Sequence, residues 1–356
     1  MALGRVEQPV YLGPDELARL YSVEEFEPLA RERMADAGYR YVAGWAGTGA
    51  TVGLNREAFE RWVLKPRALV DVSTIDASTT VLGQPVSLPV LFAPSALHCL
   101  AHPDRELATA AASVTTGTIM ILSTSASATI EEVGGVARDP WFQLYWLTDR
   151  GLTRDLVERA AAAGFRALCL TVDAPVGGWR EGELRHPVPL DATCRSSNLP
   201  DEVEVEKTLT WSSLEWLRSI SPLPIVLKGI MTAGDARLAA EHGAAAIVVS
   251  NHGGRQLDWA QASLDALPEI VDAVDGQLEI LTDGGIRRGT DVLKALALGA
   301  RAVLIGRPVF WGLATGGAAG LAAMVELIRG ELSSAMALTG ATRVQDIGRH
   351  IVARRS

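Results

Sequence analysis

From about residue 88 onward the chain repeats one pattern, a short apolar run followed by an Ala-rich amphipathic segment. The runs are Leu88–Ala93, Thr118–Leu122, Trp141–Trp146, Ala167–Val172, Pro224–Lys228, Ala245–Ser250, Glu279–Thr282 and Ala302–Ile305. Gly, Pro, Asp or Asn bounds each run, and segments such as Thr153–Ala163, Ala233–His242 and Asp291–Leu298 fill most of the intervals. Strand-length runs separated by helix-length segments predict parallel βαβ units, because a parallel neighbour is reached only through a crossover. Eight such units close into an α/β fold, the (β/α)8 barrel; a doubly wound open sheet is the competing topology. A length of 356 residues fits one such barrel.

The first sixty or so residues read as helical and precede the barrel, which takes 61–356 as part of one domain. Pro14-Asp15-Glu16-Leu17 and Ser22-Val23-Glu24-Glu25 look like helix starts, the second a capping box. Gly44, Gly47, Gly49 and Gly53 then interrupt the pattern before a short helix at Asn55–Phe59. The one large gap, 177–221, separates the fourth and fifth runs. It holds Pro187, Pro189, Pro200, the acidic stretch Asp201–Glu206 and a short helix around Trp211–Leu217. There it is either a lid over the C-terminal mouth or a solvated excursion.

A formal net charge of −9 argues against a nucleic-acid or anionic-lipid surface as a whole-chain property. Cys99, Cys169 and Cys194 lie far apart without CxxC spacing, which argues for a reducing compartment and against a structural zinc site. The first residues, Met1–Pro9, lack the apolar core of a signal peptide. The uncharged stretch Pro308–Val325 is rich in Gly, Ala and Thr, so a buried helix is expected rather than a membrane span. A cytoplasmic protein is the expectation, with no metal, nucleic acid or membrane partner.

In a barrel the chemistry gathers where strands end, at the C-terminal mouth. Those positions here are Pro94-Ser95-Ala96, Ser123-Thr124, Gln143-Leu144-Tyr145, Thr171-Val172-Asp173, Lys228, Ser250–Arg255, Asp283–Arg287 and Gly306-Arg307. Asp283-Gly284-Gly285-Ile286-Arg287 and Gly306-Arg307 follow runs seven and eight, the usual phosphate loops of this fold. Glycines let backbone N–H groups approach phosphate oxygens, and guanidinium groups bind them bidentately. Lys228 could serve as a Schiff-base amine, as a fixed positive charge beside an anionic cofactor, or as a structural partner of an Asp. His252 and Arg255 share a glycine-loosened turn, and Asp173 and Arg180 add a carboxylate and a second guanidinium.

Taken together, Ser250–Asp258, Leu281–Asp291, Phe142–Tyr145 and Leu170–Asp173 resemble the FMN-dependent α-hydroxy acid oxidase/dehydrogenase family, from about Phe26 to the C-terminus. The resemblance implies FMN and oxidation of an (S)-2-hydroxy acid to the 2-oxo acid. It implies that His252 is the base, Asp173 stabilises its imidazolium, Arg180 and Arg255 bind the substrate carboxylate, and Tyr145 lies near the substrate hydroxyl. Lys228 would face the flavin N1 and O2. Ser123, Gln143, Thr171, Ser250 and the backbone at Pro94-Ser95-Ala96 would contact the flavin. Asp283, Gly284, Gly285, Arg287, Gly306 and Arg307 would hold the ribityl and phosphate groups. His252 would remove either the α-proton or the hydroxyl proton, the latter with hydride transfer to flavin N5.

Two positions depart from the family. Phe26 is matched to a tyrosine whose hydroxyl binds the substrate carboxylate, and Ser125 replaces a bulky tryptophan found in glycolate oxidases. Both changes point to an aryl or larger hydroxy acid of the mandelate type. Ala96 resembles the oxidases, which implies oxygen as acceptor; a dehydrogenase using another acceptor and a flavin-free aldolase using Lys228 are the alternatives. The resemblance also implies a homo-oligomer, tetramer or octamer.

Overall fold

The computed structural model describes residues 11–187, 194–200 and 202–355. Pro189, Asp201 and the N-terminal Met1–Pro9 discussed above lie outside the described residues. Eight parallel strands form the centre: β1 Val90–Phe92, β2 Ile121–Leu122, β3 Trp141–Leu144, β4 Ala167–Thr171, β5 Ile225–Ile230, β6 Ala246–Val249, β7 Glu279–Asp283 and β8 Ala302–Ile305. β8 pairs in parallel with β1, and a single Phe92–Met120 bridge joins β1 to β2, so the sheet curls into a nearly closed (β/α)8 barrel.

Side-chain parity along these strands builds the site. Leu91, Ile121, Trp141, Cys169, Val226, Val248, Leu281 and Leu304 form one buried cluster inside the barrel. Their neighbours Phe92, Leu122, Phe142, Leu168, Leu227, Ile247, Ile280 and Val303 join the outer core shared with the helices. Burial on both faces is why each strand reads as a continuous apolar run. Because strand side chains alternate, the next inward position after each interior residue is two further on. Those positions are Ala93, Ser123, Gln143, Thr171, Lys228, Ser250, Asp283 and Gly306. The inward row therefore turns polar only at the mouth.

The N-terminal segment folds as helices Phe26–Arg33, Asp36–Ala43 and Ala50–Glu60. The third begins five residues before the expected Asn55, and Gly53 lies inside it. At Ser22 the capping box is partial: Glu25 accepts from the Tyr21 N–H at 3.1 Å and from the Ser22 hydroxyl at 3.0 Å. The apolar C-terminal stretch is a helix, Arg307–Thr339, broken at Gly316-Gly317 and mostly buried. By length and composition alone it could cross a membrane; its burial against the barrel is the packing expected of a core helix.

The cysteines need a correction. Cys99 and Cys194 form a disulfide, their Cα atoms 5.5 Å apart, while Cys169 is free and buried. The pairing joins the loop after β1 to the insertion after β4, a juxtaposition that spacing along the chain does not reveal. It removes the premise on which the cysteines argued for a reducing compartment. Beneath it lies buried Glu106, whose carboxylate accepts from the N–H groups of His98, Ser127 and Ala128 and from the Ser127 hydroxyl at 2.7–3.0 Å. Four donors compensate the desolvation of this charge.

Candidate active site

A cavity of about 1000 Å³ opens at the C-terminal mouth. On its floor Lys228 donates to Ser250 Oγ at 3.1 Å and lies 3.6 Å from Asp283 Oδ2. Ser250 in turn donates to Asp283 Oδ2 at 2.9 Å. Burial would lower the Lys228 pKa, but the Asp283 and Asp173 carboxylates overcome it and hold the ammonium above its ordinary value. A lysine held protonated this firmly is no Schiff-base nucleophile, so the aldolase alternative loses its support. Gly229 explains how the floor packs: at φ +113° it brings β5 so close to Asp173 that a Cβ would sit 2.6 Å from the Asp173 Cβ.

His252 Nδ1 faces Asp173 Oδ1 and Oδ2 at 3.1 and 3.2 Å. This pairing leaves Nε2 as the ring nitrogen available to the cavity that His252 lines. Burial first, and then the Lys228 ammonium, lower the His252 pKa against the opposing pull of Asp173. Burial alone would raise the Asp173 pKa, but His252 and Lys228 hold it below the usual carboxylate range. The pair is thus a neutral imidazole against an ionised carboxylate, the arrangement of a general base whose conjugate acid is stabilised on formation.

Arg287 and Arg307 line the same cavity. Arg307 donates to the carbonyls of Val42, Gly253 and Gly44, and Arg287 stacks 4.5 Å from the Trp311 ring centre. Among the described residues neither has a carboxylate partner. Burial lowers their pKa values to about 10 for Arg287 and about 9 for Arg307, with the neighbouring guanidinium groups adding to it. Two partly buried cations without a paired acid call for an anionic ligand. Gly285, at φ +86°, passes so near Asn55 that a Cβ would meet its carbonyl oxygen at 2.4 Å. Asp291 fixes this loop by accepting from the Arg287 and Arg288 N–H groups at 2.9 and 3.1 Å. These features fit the phosphate of FMN, and the buried, unpartnered Asp283 Oδ1 fits a hydroxyl donor beside it.

The expected site residues fall into three groups. Pro94, Ser95, Ala96, Ser123, Ser125, Tyr145, Arg180, Lys228, His252, Arg255, Asp283, Gly284, Gly285, Arg287, Gly306 and Arg307 line the cavity together. Gln143, Thr171, Ser250 and Asp173 stand behind that wall. Gln143 accepts from Ser123 Oγ at 3.2 Å and donates to Thr171 at 3.0 Å, tying β2, β3 and β4. Phe26 is elsewhere. It is fully buried in helix Phe26–Arg33, where it shares a face with Ala30 and packs in the core.

Tyr41, in the last turn of helix Asp36–Ala43, is the N-terminal tyrosine that lines the cavity, with the Arg255 guanidinium 5.0 Å from its ring centre. The signal was available: Phe26 and Ala30 are one helical turn apart on a buried stripe, whereas Tyr41 precedes the glycine-rich turn that reaches the mouth. Sequence reasoning also missed Glu183, Arg195, Leu199 and Val203, all cavity-lining residues of the insertion after β4. These residues bring part of the insertion to the wall of the cavity.

The FMN-dependent dehydrogenase family pattern matches residues 30–354. An L-lactate oxidase of Nostoc sp. is 54% identical over 347 residues, covering 91% of this chain and 95% of the relative. Glycolate oxidase 3 of Arabidopsis thaliana is 45% identical, covering 92% and 94%. A crystal structure of mandelate oxidase with (S)-4-hydroxymandelic acid superposes with a TM-score of 0.91 at 39% identity, covering 94% of this chain and 99% of that one. Barrel, base and phosphate cradle agree with these likenesses, and the chain belongs to the FMN-dependent α-hydroxy acid oxidase family.

Proposed function

We propose that this protein oxidises the Cα–OH of an (S)-2-hydroxy acid whose side chain is apolar and larger than methyl, aryl acids included, and passes the electrons to oxygen. The observation that carries the reading is the His252–Asp173 pair set between Lys228 and the Arg180–Arg255 guanidinium groups. The carboxylate of the substrate is bound by Arg180, Arg255 and Tyr41. Neutral His252 takes a proton from the bound acid, and Asp173 holds the imidazolium that results. FMN supplies the two-electron acceptor. Lys228 would place a positive charge beside it, and Arg287, Arg307 and the Gly284-Gly285 backbone would hold its phosphate.

Ser125 and the apolar Leu199, Pro200 and Val203 support the side-chain preference, since they leave room and dry surface in the cavity. Phe26, buried in the core, contributes nothing to this preference. The test is kcat/KM for glycolate, (S)-lactate and (S)-mandelate with oxygen consumption as readout. Mandelate above lactate above glycolate is expected; lactate or glycolate as best substrate overturns the preference.

A further inference from the structure

Glu183 bridges the two guanidinium groups assigned to the substrate. Its Oε2 lies 2.9 Å from Arg180 Nη1 and its Oε1 lies 2.9 Å from Arg255 Nη2. All three side chains are partly exposed, at 25% for Glu183, 21% for Arg180 and 15% for Arg255. Glu183 itself lines the cavity. A carboxylate that spans one nitrogen of each arginine has the geometry that a substrate carboxylate would adopt there.

We propose that Glu183 is an internal carboxylate that holds the substrate-carboxylate seat and is exchanged for the substrate, so that it sets the affinity of the pocket for carboxylates. This rests on the reading of Arg180 and Arg255 given above. The surroundings suit an exchange. Arg180 Nε is fixed by the Arg255 carbonyl at 3.0 Å, and Arg255 Nη1 by the carbonyls of Tyr41 and Gly44 at 2.7 and 3.0 Å. The start of the insertion is pinned as well, with Gly47 N–H donating to the Trp179 carbonyl at 2.9 Å and Gly178 N–H to Gln256 at 3.0 Å. The guanidinium groups therefore keep their places when Glu183 turns away, and only its flexible side chain has to move. An anion bound across two cations must be displaced by every incoming carboxylate, so the observed affinity is the intrinsic one multiplied by the fraction of seats that stand free.

The test uses phenylacetate, which carries the carboxylate but no hydroxyl to oxidise, and FMN-loaded protein. Its Kd is measured by calorimetry for wild type and Glu183→Gln, with FMN affinity checked in both. Tightening in Glu183→Gln by about 10-fold, equal to about 1.4 kcal/mol, is the expected result. Unchanged or weaker binding in the variant overturns the proposal, the latter making Glu183 a brace that orients the arginines. Failure of phenylacetate to bind either protein overturns the carboxylate seat itself and the hydroxy-acid reading with it. Should Glu183→Gln not load FMN, Glu183→Asp decides: its shorter carboxylate no longer reaches both nitrogens, and several-fold tighter binding is expected, with no tightening counting against.

Discussion

At the scale of single residues, Tyr41 and Phe26 separate two accounts of the pocket. Tyr41→Phe removes a donor to a charged oxygen, worth about 1.5–3 kcal/mol, or about 10- to 100-fold in kcat/KM. Phe26→Tyr puts a hydroxyl into the core beneath helix Arg307–Thr339, so lower stability without any gain in turnover is expected. Improved turnover of glycolate by Phe26→Tyr would restore the position to the pocket. The His252 pKa carries a pH dependence. Because it is lowered, the imidazole is neutral and able to accept a proton at and above the ordinary histidine range. Flavin reduction should hence be flat at neutral pH and fall only as the pH drops below about 6.5. Asp173 opposes that lowering, so Asp173→Asn should move the acid limb to still lower pH. Rapid-reaction pH profiles check both, and a limb lying above the ordinary range would contradict the assignment.

At the scale of elements, the strands were legible because burial on both faces keeps them apolar over most of their length. β8 was read with its observed bounds, and the rule that chemistry gathers at strand ends placed Lys228 and Asp283 at the mouth. The insertion after β4 was not legible in the same way. It has no regular period, and Glu183 matters through its contact with Arg255, 72 residues away in the chain. The Cys99–Cys194 disulfide illustrates this, as it closes a separation of 95 residues between a barrel loop and the insertion. Removing a cross-link of that span costs about 2–4 kcal/mol. Cys194→Ser should lower the melting temperature and raise KM more than it lowers kcat, since it frees the insertion and leaves the base untouched. Equal melting temperatures would mean that the cross-link constrains nothing.

At the scale of the whole molecule, Tyr21, Leu69, Leu257 and Trp259 are exposed apolar side chains outside the cavity. The family resemblance alone leads us to expect a symmetric oligomer of four or eight chains. Light scattering at micromolar concentration should give one of these masses, and a monomer would contradict it. The proposed reaction requires His252 and the flavin to act on one bound 2-hydroxy acid. Its most direct test is anaerobic mixing of the FMN-loaded protein with (S)- and (R)-mandelate while the visible flavin band is followed. The (S) acid should bleach the band and the (R) acid should not, and His252→Ala should keep FMN yet bleach about 10²- to 10⁴-fold more slowly. A band that no 2-hydroxy acid bleaches, or His252→Ala bleaching at the wild-type rate, would contradict it.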